Sequence, residues 1–170
     1  CQLRPCPVSD LQTPRTAVSR VTFTGGASSG YLSLVEGTVA DSTFDRVRIE
    51  GGCDLTVRDV TLTGAGIIGQ CYRAGLPANG RLSVARAAIS GAYIGLFNPG
   101  LTIDFSGTIT GSQTGIYNQD GTIALAQESR VTGNTLGVRN TAADQNAVSG
   151  VTPLTVFGNT TNCTGVAGCT

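Results

Sequence analysis

The segment ISGAYIGLFN, residues 89–98, indicates the fold because similar segments recur along the chain. Further copies are LTGAGIIGQC at 62–71, ITGSQTGIYN at 109–118 and VTGNTLGVRN at 131–140. The shared pattern is an apolar residue, Ser or Thr, Gly, three residues, Gly, an aliphatic residue, any residue and Asn. The copy at 62–71 lacks the second Gly and has Cys71 in place of Asn. Such self-similarity indicates a solenoid, in which each repeat buries its apolar face only against its neighbours.

A second set of short apolar triplets recurs roughly once per 20–30 residues, a period that predicts a coil of three short strands. Apolar and polar residues alternate in it, which favours strands over helices. Inward residues of stacked coils form columns and outward residues form ladders, with about 4.8 Å between coils. The triplets are Leu32-Ser-Leu34, Leu55-Thr-Val57, Leu82-Ser-Val84, Leu101-Thr-Ile103, Ile123-Ala-Leu125 and Leu154-Thr-Val156.

The spacing, the Gly-aliphatic-x-Asn turns and the Ser/Thr-flanked strands resemble the right-handed parallel β-helix of pectate-lyase-like proteins, over about residues 16–160. The resemblance implies an all-β fold, a single-stranded right-handed parallel β-helix of about six coils. It leaves function open, because this fold carries lyases, hydrolases, adhesins and inert scaffolds. We expect one domain over 1–170, with an N-terminal cap at 1–15, coils at 16–157 and a C-terminal cap at 158–170.

The charged residues exclude several functions. The 11 cations, all Arg, balance 11 acids, so no basic stripe exists for nucleic acid. Without His or Lys the chain has no Ser-His-Asp triad, no imidazole metal site and no Schiff-base lysine. No apolar run approaches the roughly 18 residues of a membrane helix. We therefore expect no cofactor, metal, nucleic-acid partner or transmembrane segment.

The six Cys are an even number, which predicts disulfides formed in an oxidising compartment. The absence of Met indicates that a signal peptide has been removed, so we expect a secreted or cell-surface protein. A rival interpretation of the first Cys is a lipid anchor, because lipoprotein processing leaves an N-terminal Cys. Local pairing predicts Cys1–Cys6, Cys53–Cys71 and Cys163–Cys169.

The repeat also predicts a binding row. Asn98, Asn118 and Asn140 share one offset, which is typical of an inward structural ladder that satisfies turn backbone groups. The residues before the final position of each copy should then point outward, with Phe97 over Tyr117 on adjacent coils. Exposed aromatics at this spacing form an apolar platform for sugar rings or a partner subunit, unless a loop such as 141–150 covers them. The outward residues are Gln70, Phe97, Tyr117 and Arg139, and the last three are the binding candidates.

Acidic residues are dense only between residues 41 and 59. Glycoside hydrolysis needs two carboxylates facing one groove. The resemblance to pectate lyases implies instead a calcium-binding carboxylate cluster and a basic residue that abstracts a proton. We assign no catalytic residue, and Asp59 is expected to form a cross-strand ion pair with Arg86. For an enzyme, the group to test is Asp41, Asp45, Glu50, Arg46 and Arg48.

A hydroxyl-rich face is the last pattern. Thr-x-Thr on a flat solenoid face looks like the arrangement in ice-binding β-helices, although Thr has high β propensity and is also a harmless outward residue. The pairs are Thr22-x-Thr24, Thr61-x-Thr63 and Thr108-x-Thr110, with weaker matches at Ala88-x-Ser90 and Arg130-x-Thr132.

These patterns favour a non-catalytic extracellular or cell-surface β-solenoid with a structural or adhesive role, which self-assembles into filaments. The expected partners are further copies of the chain or a polysaccharide. The alternatives are a carbohydrate-binding module, a polysaccharide lyase or glycoside hydrolase, and an ice-binding protein. The register predicts that Ile103, Ile109, Ile116 and Leu125 are buried.

Overall fold

The structure is a computed structural model that describes residues 16–26, 30–71 and 80–169, and in these ranges it contains strands, bends and turns without a helix. The strands are β1 (Thr16–Ser19), β2 (Thr22–Thr24), β3 (Gly30–Asp45), β4 (Val47–Thr63), β5 (Ile67–Gly69), β6 (Arg81–Ser90), β7 (Ile94–Asn98), β8 (Thr102–Thr110), β9 (Thr114–Asn118), β10 (Thr122–Leu125), β11 (Arg130–Thr132), β12 (Leu136–Asn140), β13 (Val148–Ser149) and β14 (Thr161–Thr164). The expected N-terminal cap, with Cys1 and Cys6, lies outside the described residues.

Parallel pairing of these strands builds a β-solenoid of about seven turns, one more than the sequence predicts. Six turns contribute a strand to each of three faces, and the last turn contributes a strand to two faces and the single bridge Val131–Val156 to the third. Long strands such as β3 and β4 bend from one face to the next. The aromatic face comprises 30–34, 47–51, 67–69, 94–98, 114–118, 136–140 and 161–164. The hydroxyl face comprises 22–24, 43–45, 61–63, 88–90, 108–110 and 130–132. The third face comprises 16–19, 37–40, 54–58, 81–85, 102–105, 122–125 and 148–149.

Apolar columns fill the interior between the faces. Ile103, Ile109 and Ile116 are fully buried and Leu125 is 7% exposed, so the core prediction is confirmed. Phe23 and Phe44 stack in the same column with ring centroids 5.1 Å apart. Burial of one such aliphatic side chain contributes about 1.5–3 kcal/mol, and stacking provides that burial coil after coil.

One corner of the solenoid needs left-handed backbone, which explains the Gly that opens each repeat. Gly64, Gly91, Gly111 and Gly133 have φ of 68°, 65°, 61° and 66°. Arg46 holds the same corner position, after the pair Asp45–Thr63, with φ of 54°. A left-handed conformation costs a residue with a Cβ atom roughly 1–2 kcal/mol, so Gly is the favoured residue here.

The register of the apolar triplets is partly wrong. Leu82 pairs with Ile103 rather than with Leu101, and Ser33 belongs to the aromatic face, opposite Glu50. Leu154 lies outside the strands and is 68% exposed. Turn lengths differ from coil to coil, so alignment by apolar triplets slips by two residues without changing the inward and outward alternation.

Two disulfides occur at the predicted pairs. Cys53 and Cys71 are joined across Cα atoms 4.7 Å apart, and Cys163 and Cys169 across Cα atoms 5.9 Å apart. The second bond closes the segment after β14, which pairs with β12 inside the region expected to be the C-terminal cap. The described part of the chain has no helix long and apolar enough to cross a membrane.

Candidate functional site

An asparagine ladder lies beneath one edge of the aromatic face. Asn98 and Asn118 are fully buried, and Asn140 is 5% exposed. The Nδ2 of Asn98 donates to Oδ1 of Asn118 at 2.9 Å, and Asn118 donates to Asn140 at the same distance. The Oδ1 of Asn98 accepts from the backbone N–H of Leu101 at 2.7 Å. The three amides therefore hold the turns and point away from solvent, which sets the direction of their neighbours.

A second polar ladder consists of Ser112, Asn134 and Asn159, and the repeat pattern of the sequence does not predict it. The Oδ1 of Asn134 accepts from the backbone N–H of Ser112 at 2.9 Å, and its Nδ2 donates to Oδ1 of Asn159 at 3.0 Å. These residues directly follow the left-handed Gly of their coils. The position holds Ala65, Ala92, Ser112 and Asn134 in successive copies, so a pattern search treats it as variable.

The outward row of the aromatic face differs from the predicted one at its first member. Ile68, and not Gln70, pairs with Phe97, and Gln70 donates its backbone N–H to Gly51. The strand of the copy at 62–71 begins two residues early, because only Ala65 separates Gly64 from Gly66, whereas three residues separate Gly91 from Gly95. Gly66 is therefore the second Gly of this copy, and Gly69 takes the position of Asn98. A Cβ atom at Gly69 would lie 2.8 Å from Cδ1 of Ile103, so a longer side chain does not fit. We call Ile68, Phe97, Tyr117 and Arg139 the aromatic row.

The rings of the aromatic row stack on each other. The Phe97 and Tyr117 centroids are 5.1 Å apart with 28° between the planes, and Cζ of Arg139 lies 4.9 Å from the Tyr117 centroid. Arg139 therefore contacts one end of the stack. Both ring side chains are half-buried. Instead of the expected flat platform, the row presents ring edges to solvent, and the Phe97 face opposite Tyr117 is directed toward Ile68.

A cleft of about 210 Å³ lies on that side of Phe97. Its most exposed wall is Tyr93, which is 75% exposed. Its floor includes Gly66, where a Cβ atom would overlap the carbonyl oxygen of Ile94. The volume is below the roughly 300 Å³ of pockets that enclose whole drug-sized ligands, so it suits one ring of a longer molecule. The lining residues are Arg48, Gly64, Ala65, Gly66, Ile68, Tyr93, Ile94 and Phe97.

Arg48 is the cation that lines the cleft, and contacts with two neighbouring side chains orient its guanidinium group. Its Cζ lies 5.7 Å from the centroid of Tyr31, and its Nε donates to Oε1 of Glu50. Glu50 is only 9% exposed and pairs with Ile68, so it continues the aromatic row on the preceding coil. The cleft thus combines two aromatic side chains with one oriented, neutralised guanidinium.

The candidate catalytic group does not converge on one groove. Arg48 and Glu50 meet at the aromatic face, whereas Asp45 carries Arg46 as its partner at 3.3 Å beside the hydroxyl face. Asp41 is at a different corner, 3.9 Å from Arg58. Within the described residues, no three Cys, Asp or Glu side chains are close enough to hold a metal ion.

The predicted ion pair between Asp59 and Arg86 is present. Nε and Nη2 of Arg86 donate to the two carboxylate oxygens at 2.6 and 2.7 Å. These hydrogen bonds lower the pKa of Asp59 below its ordinary value, and Asp59 in turn raises the pKa of Arg86. Both residues have positive φ, 54° and 52°, at the corner between the third and hydroxyl faces. The pair is bidentate and exposed, so its role is to join two coils.

Comparison of the chain with protein-family models, with curated proteins and with solved structures finds no match. The parallel β-solenoid is therefore established by the strand pairing alone, and the likeness to pectate-lyase-like proteins extends no further than that fold.

Proposed function

We propose that this protein is a non-catalytic, extracellular β-solenoid of adhesive type that binds a polysaccharide through its aromatic face. One sugar ring enters the cleft between Tyr93 and Phe97, and the rest of the polysaccharide lies along the aromatic row, parallel to the solenoid axis. The observation that carries the proposal is the cleft itself, which Phe97 lines together with Tyr93, an aromatic side chain that is 75% exposed. An apolar sugar face gains free energy by covering such rings.

The charge around the cleft supports a ligand that is held by shape and stacking. The guanidinium of Arg48 is already paired with Glu50, so it offers its remaining N–H groups as donors to hydroxyl oxygens without demanding an anion. Arg139, at the far end of the row, lies on the ring of Tyr117 and gives a longer chain a second polar contact.

A non-catalytic role is supported by the placement of the acids. Glu50 is the one acid of the candidate group at the aromatic face, and its carboxylate already accepts a hydrogen bond from Arg48. Glycosidases use two carboxyl groups that face the same bond, about 5–10 Å apart. The extracellular assignment is supported by Cys53–Cys71 and Cys163–Cys169, because disulfides persist in oxidising compartments.

The test is a binding titration of the purified protein against soluble neutral polysaccharides, with Tyr93→Ser and Phe97→Ser as variants. Each should weaken binding about 5- to 100-fold, equivalent to about 1–3 kcal/mol for loss of a buried aromatic contact. The control is Phe157→Ser, which removes a 39% exposed aromatic from the last turn. Shortening of the polysaccharide during the titration would replace this proposal with the hydrolase or lyase alternative.

Self-association is a second proposal, favoured by the C-terminal end. Leu154 and Phe157 are 68% and 39% exposed there. Among the described residues β13 pairs only with β10 and β14 only with β12, so these two strands are the last of the sheet. Open edges recruit further strands. Analytical ultracentrifugation at high protein concentration should show a lower mass of the assembled species for Leu154→Asp than for the wild type. A wild-type protein that stays monomeric at that concentration would contradict self-association.

A further inference from the structure

The hydroxyl face carries two outward rows that remain in register over six strands. Only Ala88, Arg130 and Asp45 lack a hydroxyl group in them. Neighbours within a row are about 4.8 Å apart, and the rows are separated by two residues of strand, about 6.5–7 Å. The first row is Thr22, Thr43, Thr61, Ala88, Thr108 and Arg130, and the second is Thr24, Asp45, Thr63, Ser90, Thr110 and Thr132.

Six of the eight Thr residues of this face are exposed, and the other two, Thr110 and Thr132, are half-buried. Within residues 16–26, 30–71 and 80–169, none of the eight Thr side chains of the two rows makes a hydrogen bond to protein, and Ser90 makes one long contact of 3.5 Å. Buried hydroxyl groups of the solenoid, by contrast, bond to the backbone, as where Thr155 donates to Gly150 O at 2.9 Å and Ser129 to Phe105 O at 3.1 Å. The hydrogen-bonding capacity of the face is therefore available to an external ligand.

The face is also regular. The pairing of β3 with β4 is irregular between Leu34 and Glu36, and that of β6 with β8 between Val84 and Ala87. Neither irregularity falls within the segments 43–45, 61–63, 88–90 and 108–110. Beneath them Phe44, Leu62 and Ile89 are almost fully excluded from solvent, and they pack in one continuous column. A rigid core under an uninterrupted register keeps the outward rows at constant spacing.

The two charged side chains of the face have partners at its margins. Asp45 is paired with Arg46 at 3.3 Å, and Nη1 of Arg130 donates to Gln127 O at 3.1 Å and Ser129 O at 2.7 Å. Within the six strands no aromatic side chain belongs to either row, although the bridge between Val131 and Val156 places Phe157 beside Thr132 at the end of the second row. Protein interfaces, by contrast, are enriched in aromatic side chains. A hydroxyl group both donates and accepts, so it matches a ligand whose every point does the same. Ordered water is such a ligand.

We infer that the hydroxyl face binds ice. The two rows present hydroxyl and methyl groups in regular register to the lattice of water molecules at an ice surface. This surface is separate from the cleft at Tyr93 and Phe97, so the inference does not depend on the proposed function.

The experiment measures the gap between the melting and freezing points of a single ice crystal in the purified full chain, together with uptake of fluorescently labelled protein into growing ice. Thr61→Lys places a charged, longer side chain in the middle of the face and should reduce the freezing gap at least several-fold. Thr56→Lys is the matched control, because Thr56 lies in an outward row of the third face, between Thr38 and Ser83. Circular dichroism checks that both variants keep the β-solenoid.

A second variant tests the inference by gain of function. Ala88→Thr completes the first row between Thr61 and Thr108 and should widen the freezing gap, while Ala124→Thr on the third face should leave it unchanged. Tyr93→Ser should leave the gap unchanged too, since the cleft belongs to another face. The inference is overturned by a wild-type protein that is excluded from growing ice, by equal effects of Thr61→Lys and Thr56→Lys, or by adsorption only to crystalline polysaccharide.

Discussion

The amide of Asn98 donates to the amide of Asn118 at 2.9 Å, inside a turn that both residues help to close. This contact fixes Asn98 inward and so turns Phe97, its neighbour in sequence, to the outside. The same relationship links Asn118 to Tyr117 and Asn140 to Arg139. The aromatic row is therefore a consequence of the buried polar ladder on which it rests.

Removal of one rung should destabilise the protein. In Asn118→Ala the Oδ1 that accepts from Asn98 and the Nδ2 that donates to Asn140 are both lost. We expect the free energy of unfolding in urea to fall by about 1–3 kcal/mol, the penalty for buried polar groups left without partners. Asn146→Ala, at an exposed position, should change it far less. Equal effects of the two substitutions would contradict the ladder's structural role.

The apolar column gives a sharper test of register. Ile109 is fully buried, and Ile109→Ala should lower the free energy of unfolding by about 2–5 kcal/mol. Leu154→Ala removes atoms from a side chain that is 68% exposed and should stay within about 0.5 kcal/mol of the wild type. A loss below about 0.5 kcal/mol for Ile109→Ala would mean that this residue does not lie inward.

The left-handed corner predicts opposite effects of two reciprocal substitutions. Arg46→Gly should raise the free energy of unfolding, by up to about 1 kcal/mol, because relief of the positive φ outweighs the entropy that Gly adds to the unfolded chain. Gly91→Ala should lower it by about 1–2 kcal/mol, although the nearest atom to a new Cβ is 3.9 Å away. Thermal unfolding of both variants measures this, and destabilisation by Arg46→Gly would show that its ion pair with Asp45 matters more than its backbone.

The pH dependence of stability follows from the Asp59–Arg86 pair. Because the folded pKa of Asp59 lies below the ordinary carboxyl value of 3.8, the pair stabilises the protein above that value. The contribution is lost as the pH falls through the lower folded pKa. Asp59→Asn should therefore lose less stability than the wild type between pH 7 and pH 2, measured by chemical denaturation. Asp120→Asn, at an exposed residue with no ion pair among the described residues, serves as the control.

The architecture could be predicted from the sequence because each coil of a solenoid carries a similar sequence pattern. The Gly that opens each copy marks a left-handed corner, and the Asn that closes it marks a buried turn, so both are visible as fixed offsets. Gln70 is assigned to the wrong row because the coil at 62–71 has one residue between Gly64 and Gly66, whereas the coil at 89–98 has three residues between Gly91 and Gly95. The cleft was not predictable, because it depends on Phe97 having an aliphatic neighbour, Ile68, on one side and an aromatic one on the other.

Polysaccharide binding at the aromatic face can be measured by an NMR titration of the ¹⁵N-labelled protein with a soluble polysaccharide. We predict that the amide signals of Ile68, Tyr93 and Phe97 shift in proportion to bound ligand, followed by those of Tyr117 and Arg139 as the ligand lengthens. The signals of Thr61 and Thr63, on the hydroxyl face, should remain in place. Two results would contradict binding at the aromatic face: signal shifts confined to the hydroxyl face, or no shift with a polysaccharide that retains the protein when it is coupled to a column.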